Sequence, residues 1–270
     1  MISEIEFQRF DCKADVGFLI DGSLSITDER YGGIKHNWNL IKDFILVLAK
    51  DINITKDGAH FAVGVFSTIA TLDIKFSDFT DYPSFEKAVI KLRHPAEVSD
   101  ELIHTDTLRG YDLAFNQMFD ESTGMRSDVP KTLIFLTDGQ CARGCEFNAA
   151  EANDNTCRGG KCKSNYCQKL YVECDPNSFP QWGNRFRNRE ITTIGIGVGL
   201  STNEQEIIDF VGQSNYYKKK SFNLILTKRF RRSLLFCEGK LVTQIFPKKN
   251  QSRITSISSL CHKLAYCLYF

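Results

Sequence analysis

The residues of this chain best able to do chemistry are Asp21, Ser23 and Ser25, in the run Asp21-Gly22-Ser23-Leu24-Ser25 that closes the apolar stretch from Val16 to Ile20. A carboxylate and two hydroxyls are hard oxygen donors. With only one of the three charged, the set suits Mg²⁺ or Mn²⁺, which tolerate water in the shell, and suits a thiophilic metal poorly. A buried strand ending at about Asp21 would point these side chains into the crevice above its end. Asp, Gly and Ser are also what an ordinary turn after a strand prefers, so the run gains meaning only from the segments that accompany it.

Two such segments are present. Thr132 to Thr137 (TLIFLT) is a second short apolar run, and it delivers Asp138-Gly139 at its carboxyl end. Between the two runs, Thr105-Asp106-Thr107 precedes Gly110 and an apolar helical period at Leu108, Tyr111, Phe115 and Met118. Open α/β sheets bind ligands at the carboxyl ends of adjacent strands, near the point where strand order reverses. All three segments would meet there.

In type, order and spacing these residues resemble the metal-ion-dependent adhesion site of the von Willebrand factor A domain, also called the integrin I-like domain. The matching parts are Asp21-x-Ser23-x-Ser25, Thr105 in a T-x-T-x-x-G segment, and Asp138 in a strand-ending T-D-G. The entry CKADVGFLIDGSLSI and the late strand ITTIGIGVG, Ile191 to Gly199, are similar to the family as well, and the resemblance runs from about Cys12 to Cys237. It implies that Ser23, Ser25 and Thr105 ligate a divalent cation through their hydroxyls, with Asp21 and Asp138 helping directly or through water. The remaining coordination position would take a carboxylate from a protein ligand. A cation held mainly by neutral hydroxyls keeps much of its charge exposed, so an incoming Glu or Asp side chain is attracted to it. Thr107 is expected to cap the helix that follows.

The elements that must hold these residues alternate between strand and helix. Ile34, Trp38, Ile41, Ile45 and Leu48 recur at three- and four-residue steps and mark a long amphipathic helix. His60 to Phe66 and Ala70 to Phe76 read as a hairpin around Ser67-Thr68. Ser84 to Leu92, Thr107 to Asp120, Asn203 to Val211 and Ser221 to Leu235 read as helices. The late basic residues Lys218, Lys219, Lys220, Lys228, Arg229, Arg231 and Arg232 are expected on the solvated face of the last of these. The fold class that follows is α/β: a doubly wound, mostly parallel central sheet with one antiparallel edge strand and helices on both faces.

A chain of 270 residues with 42% hydrophobic content can hold one large domain with extensions. The expected division is an N-terminal extension 1–11, a domain 12–237 and a C-terminal extension 238–270. A net charge of +1 offers no whole-chain argument for nucleic-acid binding. The end of the tail, from Leu260 to Phe270, is apolar but interrupted and too short to span a membrane.

Six of the ten cysteines, Cys141, Cys145, Cys157, Cys162, Cys167 and Cys174, fall in a long polar insert, 140–182, that interrupts the metal edge. Such density in an irregular segment points to disulfides, with pairings that spacing cannot choose. Zinc is the competing account, but the later gaps widen and no His lies inside the segment. Cys12 and Cys237 flank the first and last elements, where a bridge would tie the domain's ends together. Disulfides imply an extracellular protein, secreted or on the cell surface. The triplets Asn53-Ile54-Thr55 and Asn250-Gln251-Ser252 would make it a glycoprotein, although no signal peptide is legible at the N-terminus. Phe147, Tyr166, Tyr171, Phe179 and Trp182 lie in or just after the insert, either as binding anchors or as its own small core.

The function expected from these readings is divalent-cation-dependent binding of an extracellular protein ligand in adhesion or matrix attachment, without catalysis. A structural matrix module with a fold-stabilising cation is one alternative. A metal-dependent hydrolase is another, but it lacks a general base, since His36, His60, His94, His104 and His262 stand in no recognisable catalytic context.

Overall fold

Strand β1, Ala14–Asp21, is buried at all eight positions. Between the buried carboxylates Asp15 and Asp21 its sequence is a continuous apolar run and not an alternation, because a central parallel strand is covered by helices on both faces. Its parallel neighbours are β2, Ala59–Phe66, on one side and β4, Lys131–Thr137, on the other. The computed structural model describes residues 13–29, 33–52, 54–99, 104–143, 157–158, 161–162, 172–199, 202–226, 236–237 and 240–241.

Six strands form the main sheet. β5, Ile191–Val198, pairs parallel with β4; β6, Tyr216–Lys219, pairs parallel with β5; and β3, Ala70–Ile74, pairs antiparallel with β2. The order is β6-β5-β4-β1-β2-β3. The chain moves outward from β1 through β2 and β3 and then returns to the other side of β1 as β4, so the switch point lies between β1 and β4. The expected doubly wound sheet with one antiparallel edge strand is the fold observed.

Helix α1, Asn37–Asp51, lays Trp38, Ile41, Phe44, Ile45 and Leu48 on one sheet face, against Val16, Phe18 and Ile20 of β1. Helix α2, Tyr82–Lys91, joins the same core through Phe85 and Val89. Helices α3, Thr107–Leu113, α4, Ser178–Asn188, and α5, Glu204–Val211, cover the other face, where Tyr111 stacks on Phe210 at a centroid distance of 3.8 Å.

Several local expectations are corrected. The α1 stripe was expected to begin at Ile34, but that residue is 56% exposed and precedes the helix. The Gly33 amide donates to the Asp28 carbonyl and the Ile34 amide to that of Ile26, so Ile34 is held beside the loop after β1 and not on α1. Thr107 is the first helical residue of α3 and not its cap. Asp106 caps it, its carboxylate accepting from the Arg109 amide at 3.2 Å and pairing with the Arg109 guanidinium at 2.8 Å. A carboxylate also complements the positive end of the helix.

The α3 helix was expected to reach Asp120; its last turn is instead a π segment, Ala114–Met118. Lys218 and Lys219 lie in edge strand β6, not on a helix, and charged side chains suit an edge that must not pair further. The described part of the expected last helix is a short 3₁₀ segment, Phe222–Leu226, which buries Phe222 and Ile225 on the α1 side of the sheet. Helix α4 begins inside the expected insert. Phe179 and Trp182 pack around Tyr111 at 6.4 and 6.5 Å between ring centroids, as core and not as surface anchors. Phe147, Tyr166 and Tyr171 lie outside the described residues.

Candidate metal centre

The register of the two central strands sets the site. Ile20 of β1 stands opposite Leu136 of β4, so Asp21 and Thr137 end their strands side by side. The Thr137 hydroxyl donates to Asp21 Oδ2 at 2.5 Å, and the Ser23 amide donates to Asp21 Oδ1 at 2.8 Å. Asp21 is fully buried. It is part of the loop's internal scaffold and not only a rim group, which corrects the picture of a carboxylate simply pointing into the crevice.

The hydroxyls continue the chain of contacts. Ser23 Oγ and Ser25 Oγ are 2.9 Å apart, and Ser25 Oγ donates to Asp138 Oδ1 at 2.9 Å. The Gly139 amide donates to Thr137 Oγ1 at 3.1 Å, which turns the backbone at the end of β4. A Cβ built on Gly139 would lie 3.5 Å from Thr105 Oγ1 and 3.8 Å from Ser25 Oγ. Thr105 is thus drawn to the same few ångströms, although it comes from a separate loop. That loop is anchored by the Asp106 amide, which donates to the Ser67 carbonyl just past β2 at 3.0 Å. All five expected site residues, Asp21, Ser23, Ser25, Thr105 and Asp138, converge at the carboxyl edge beside the switch point.

The electrostatics are those of a site short of positive charge. Burial, and then the neighbouring Asp21 carboxylate, push Asp138 up to about 8. Asp21 is likewise raised, burial outweighing its bonds from Ser23 and Thr137. Neither carboxylate pairs with a Lys, Arg or His among the described residues. A buried and a half-buried carboxylate with hard hydroxyl donors beside them fit a divalent cation, which would neutralise the pair.

Two supports were not legible in the sequence. Thr137 orients Asp21, and its only signal was its place in the T-D-G triplet. His94, 2% exposed, reaches the site loop from 71 residues away, with Nε2 at 3.2 Å from the Ser23 carbonyl while Nδ1 accepts from the Ala96 amide at 3.2 Å. Because Nδ1 is an acceptor, Nε2 carries the proton and donates to Ser23. Burial holds the imidazole below its ordinary value, and its ring packs edge-on to Trp38 at 5.1 Å. Gly22 completes the loop: its amide donates to the Phe66 carbonyl at 2.7 Å, and a Cβ there would come within 2.6 Å of Pro95 and 2.8 Å of Val65. Outer supports of this kind typically change metal affinity about 10- to 100-fold. His94→Ala should therefore weaken Mn²⁺ binding by roughly tenfold in a calorimetric titration, with His94→Gln partly restoring it. Unchanged affinity in the Ala variant would show that Ser23 needs no such support.

Beyond Asp138 the chain leaves the sheet at Cys141, whose amide donates to Glu206 of α5 at 2.9 Å. Cys141 is disulfide-bonded to Cys174, closing the base of the insert with a Cα–Cα distance of 5.7 Å. Both cysteines are buried, and their sulfurs lie close to the Asp106 carboxylate. The bond consumes both thiols, so the zinc account does not hold for this pair. The backbone positions of Cys157 and Cys162 are partners in a two-residue antiparallel ladder. Cys12, Cys145 and Cys167 lie outside the described residues.

The comparisons agree with this architecture. The guinea pig (Cavia porcellus) cochlin is 29% identical over 129 residues, 48% of this chain and 21% of cochlin. The human (Homo sapiens) collagen alpha-6(VI) chain is 30% identical over 131 residues, again 48% of this chain but 5% of the collagen. The chain thus matches only a small part of each relative's length. Proximal thread matrix protein 1 from the mussel byssus, with a zinc-occupied MIDAS motif, superposes with a TM-score of 0.57 at 22% identity, covering 79% of this chain and 43% of that one. The family model of the von Willebrand factor type A domain matches residues 15–230, and the chain belongs to that family.

Proposed function

We propose that this protein binds an extracellular protein ligand through a divalent cation held at the carboxyl edge of its sheet. The observation that carries this reading is the convergence of three hydroxyls and two neighbouring carboxylates, one buried and one half-buried, from three separate segments. Ser23, Ser25 and Thr105 would hold Mg²⁺ or Mn²⁺ through their hydroxyls, with Asp21 and Asp138 contributing directly or through water. The cation would supply an exposed positive charge for an acidic side chain of the partner. Collagen VI chains match this domain in sequence and a byssal thread matrix protein shares its fold, which supports a matrix setting, outside the cell, and binding in place of catalysis.

The test is cation-dependent capture of matrix protein. Immobilised protein should retain components of an extracellular matrix extract in Mn²⁺ and release them with a chelator. Mn²⁺ binding in calorimetry with retention indifferent to chelation would instead favour a cation that only stabilises the fold.

A pH dependence follows from the raised carboxyl. A carboxyl whose folded value lies above its ordinary 3.8 adds stability to the cation-free protein below about pH 4, and that stability is lost as pH rises through about 8. A bound cation displaces the proton. Mn²⁺ affinity should then rise toward pH 8, by up to about tenfold per pH unit, with proton release visible when titrations are repeated in buffers of different ionisation enthalpy. Affinity that stays flat from about pH 6 to 8 would contradict a shared proton on this pair.

A further inference from the structure

We propose that the groove between α2 and edge strand β3 is a second contact for the same protein ligand, taking an extended segment that places a Lys or Arg about four residues from its cation-binding carboxylate. This rests on the reading of the metal centre given above. The groove has a volume of about 550 Å³. Val65 and Ile74 line it from the sheet and Leu92 from the helix side, and at its rim Ile69 and Val98 are 43% and 58% exposed. Apolar side chains left open beside a concave surface mark an interaction site more often than isolated exposed ones do.

Charge selects the occupant. Asp73 and Asp78 line the β3 side, and Lys91 and Arg93 line the helix side; none of the four forms an ion pair with another described residue. Asp73 takes a single side-chain hydrogen bond, from Thr71 at 3.3 Å. A polyanion would be repelled by the first wall and a polycation by the second, whereas a peptide segment carrying both signs satisfies both.

The groove is continuous with the metal edge. Pro95 and Val65, which line it, are also the residues that a Cβ on Gly22 of the metal loop would strike. The Ser67 carbonyl at the same end anchors the Thr105 loop through Asp106. From Ile69 at that end to Asp73 the strand advances four residues, roughly 13 Å at the rise of an extended chain. The metal loop follows β1, two strands or about 10 Å across the sheet from β3, so the path to Asp73 is roughly 16 Å, which four extended residues and the reach of a Lys or Arg side chain would span.

The test uses two synthetic peptides of identical composition, blocked at both ends. One carries Asp, Leu two residues on and Lys four residues on; the other has Lys moved next to Asp. With the full chain in Mn²⁺, fluorescence anisotropy should show the first binding on the order of tenfold more tightly. Asp73→Lys should abolish that preference, leave Mn²⁺ affinity unchanged, and bind better a third peptide with Glu in place of Lys. Equal binding of the first two peptides, or indifference to Asp73→Lys while chelation still releases them, overturns the groove and leaves the metal reading standing. Failure to bind Mn²⁺ at all would overturn both.

Discussion

Replacing Asp138 with Ala is expected to abolish Mn²⁺ binding while making the cation-free protein no less stable, and more stable at high pH. The two effects have one cause. Asp138 is a carboxyl held near 8 by burial and by Asp21, so at neutral pH the cation-free fold carries the cost of keeping it protonated, and above about pH 8 that of a poorly solvated, like-charged pair. Removing one member removes that cost, and with it the charge that fixes a cation. A cation bound to the folded state alone stabilises it by about 2.7 kcal/mol at a hundred times its dissociation constant, which is several degrees in Tm for a domain of this size. Thermal melts with and without Mn²⁺ should therefore show a cation-induced rise for the unsubstituted chain and none for the variant. A full rise in Asp138→Ala would remove Asp138 from the site. Asp21→Ala is a harsher change, because the same carboxylate holds the Ser23 amide and the Thr137 hydroxyl. It should lose both cation binding and some local order in the loop.

The largest stability loss is expected at the opposite end of β1. Asp15 is fully buried, and Arg126 satisfies it nearly alone: the Arg126 amide donates at 2.6 Å, Nε at 2.9 Å and one terminal nitrogen at 2.7 Å. The same guanidinium nitrogen also bonds the Ala14 and Gly58 carbonyls at 3.0 Å, tying β1 to the start of β2. Arg126→Ala would leave a buried carboxylate without its countercharge, a change that costs about 3–5 kcal/mol. Replacing both partners with apolar residues of similar volume should cost far less, since the desolvated charges leave together. Urea denaturation of the single and double variants measures both. A loss below about 1 kcal/mol in Arg126→Ala would mean that water reaches Asp15. Cation affinity should not change, because the pair lies roughly 20 Å from the metal edge along the strand.

What the sequence by itself determined is whatever a short stretch of chain encodes locally. The short apolar runs from Val16 to Ile20 and from Thr132 to Thr137 read as buried strands, and the polar residues at their ends, Asp21 with Ser23 and Ser25, and Asp138, were expected at one sheet edge. The spacing of Thr105 to Gly110 announced a loop opening a helix at that edge. The same logic failed where local pattern was a coincidence or where two chemistries competed. Ile34 falls on a helical period, but its amide bonds the Ile26 carbonyl ahead of α1 and its side chain stays in solvent. Asp106 displaces Thr107 as the cap because a carboxylate accepts from the Arg109 amide and its guanidinium at once.

Only the tertiary structure decided the contacts between residues distant in sequence. His94 could not be told from a bystander until the fold laid it under Ser23, and the partner of Arg126 is 111 residues away. The charged groove beside β3 depends on how α2 seats at the sheet edge. The bond from Cys141 to Cys174 is one among several pairings the cysteines allow, chosen by where the chain leaves the sheet and where α4 returns it. Periodicity and turn chemistry act over a few residues and can be read along the chain, whereas pairing across a core is set by the packing of whole elements against one another.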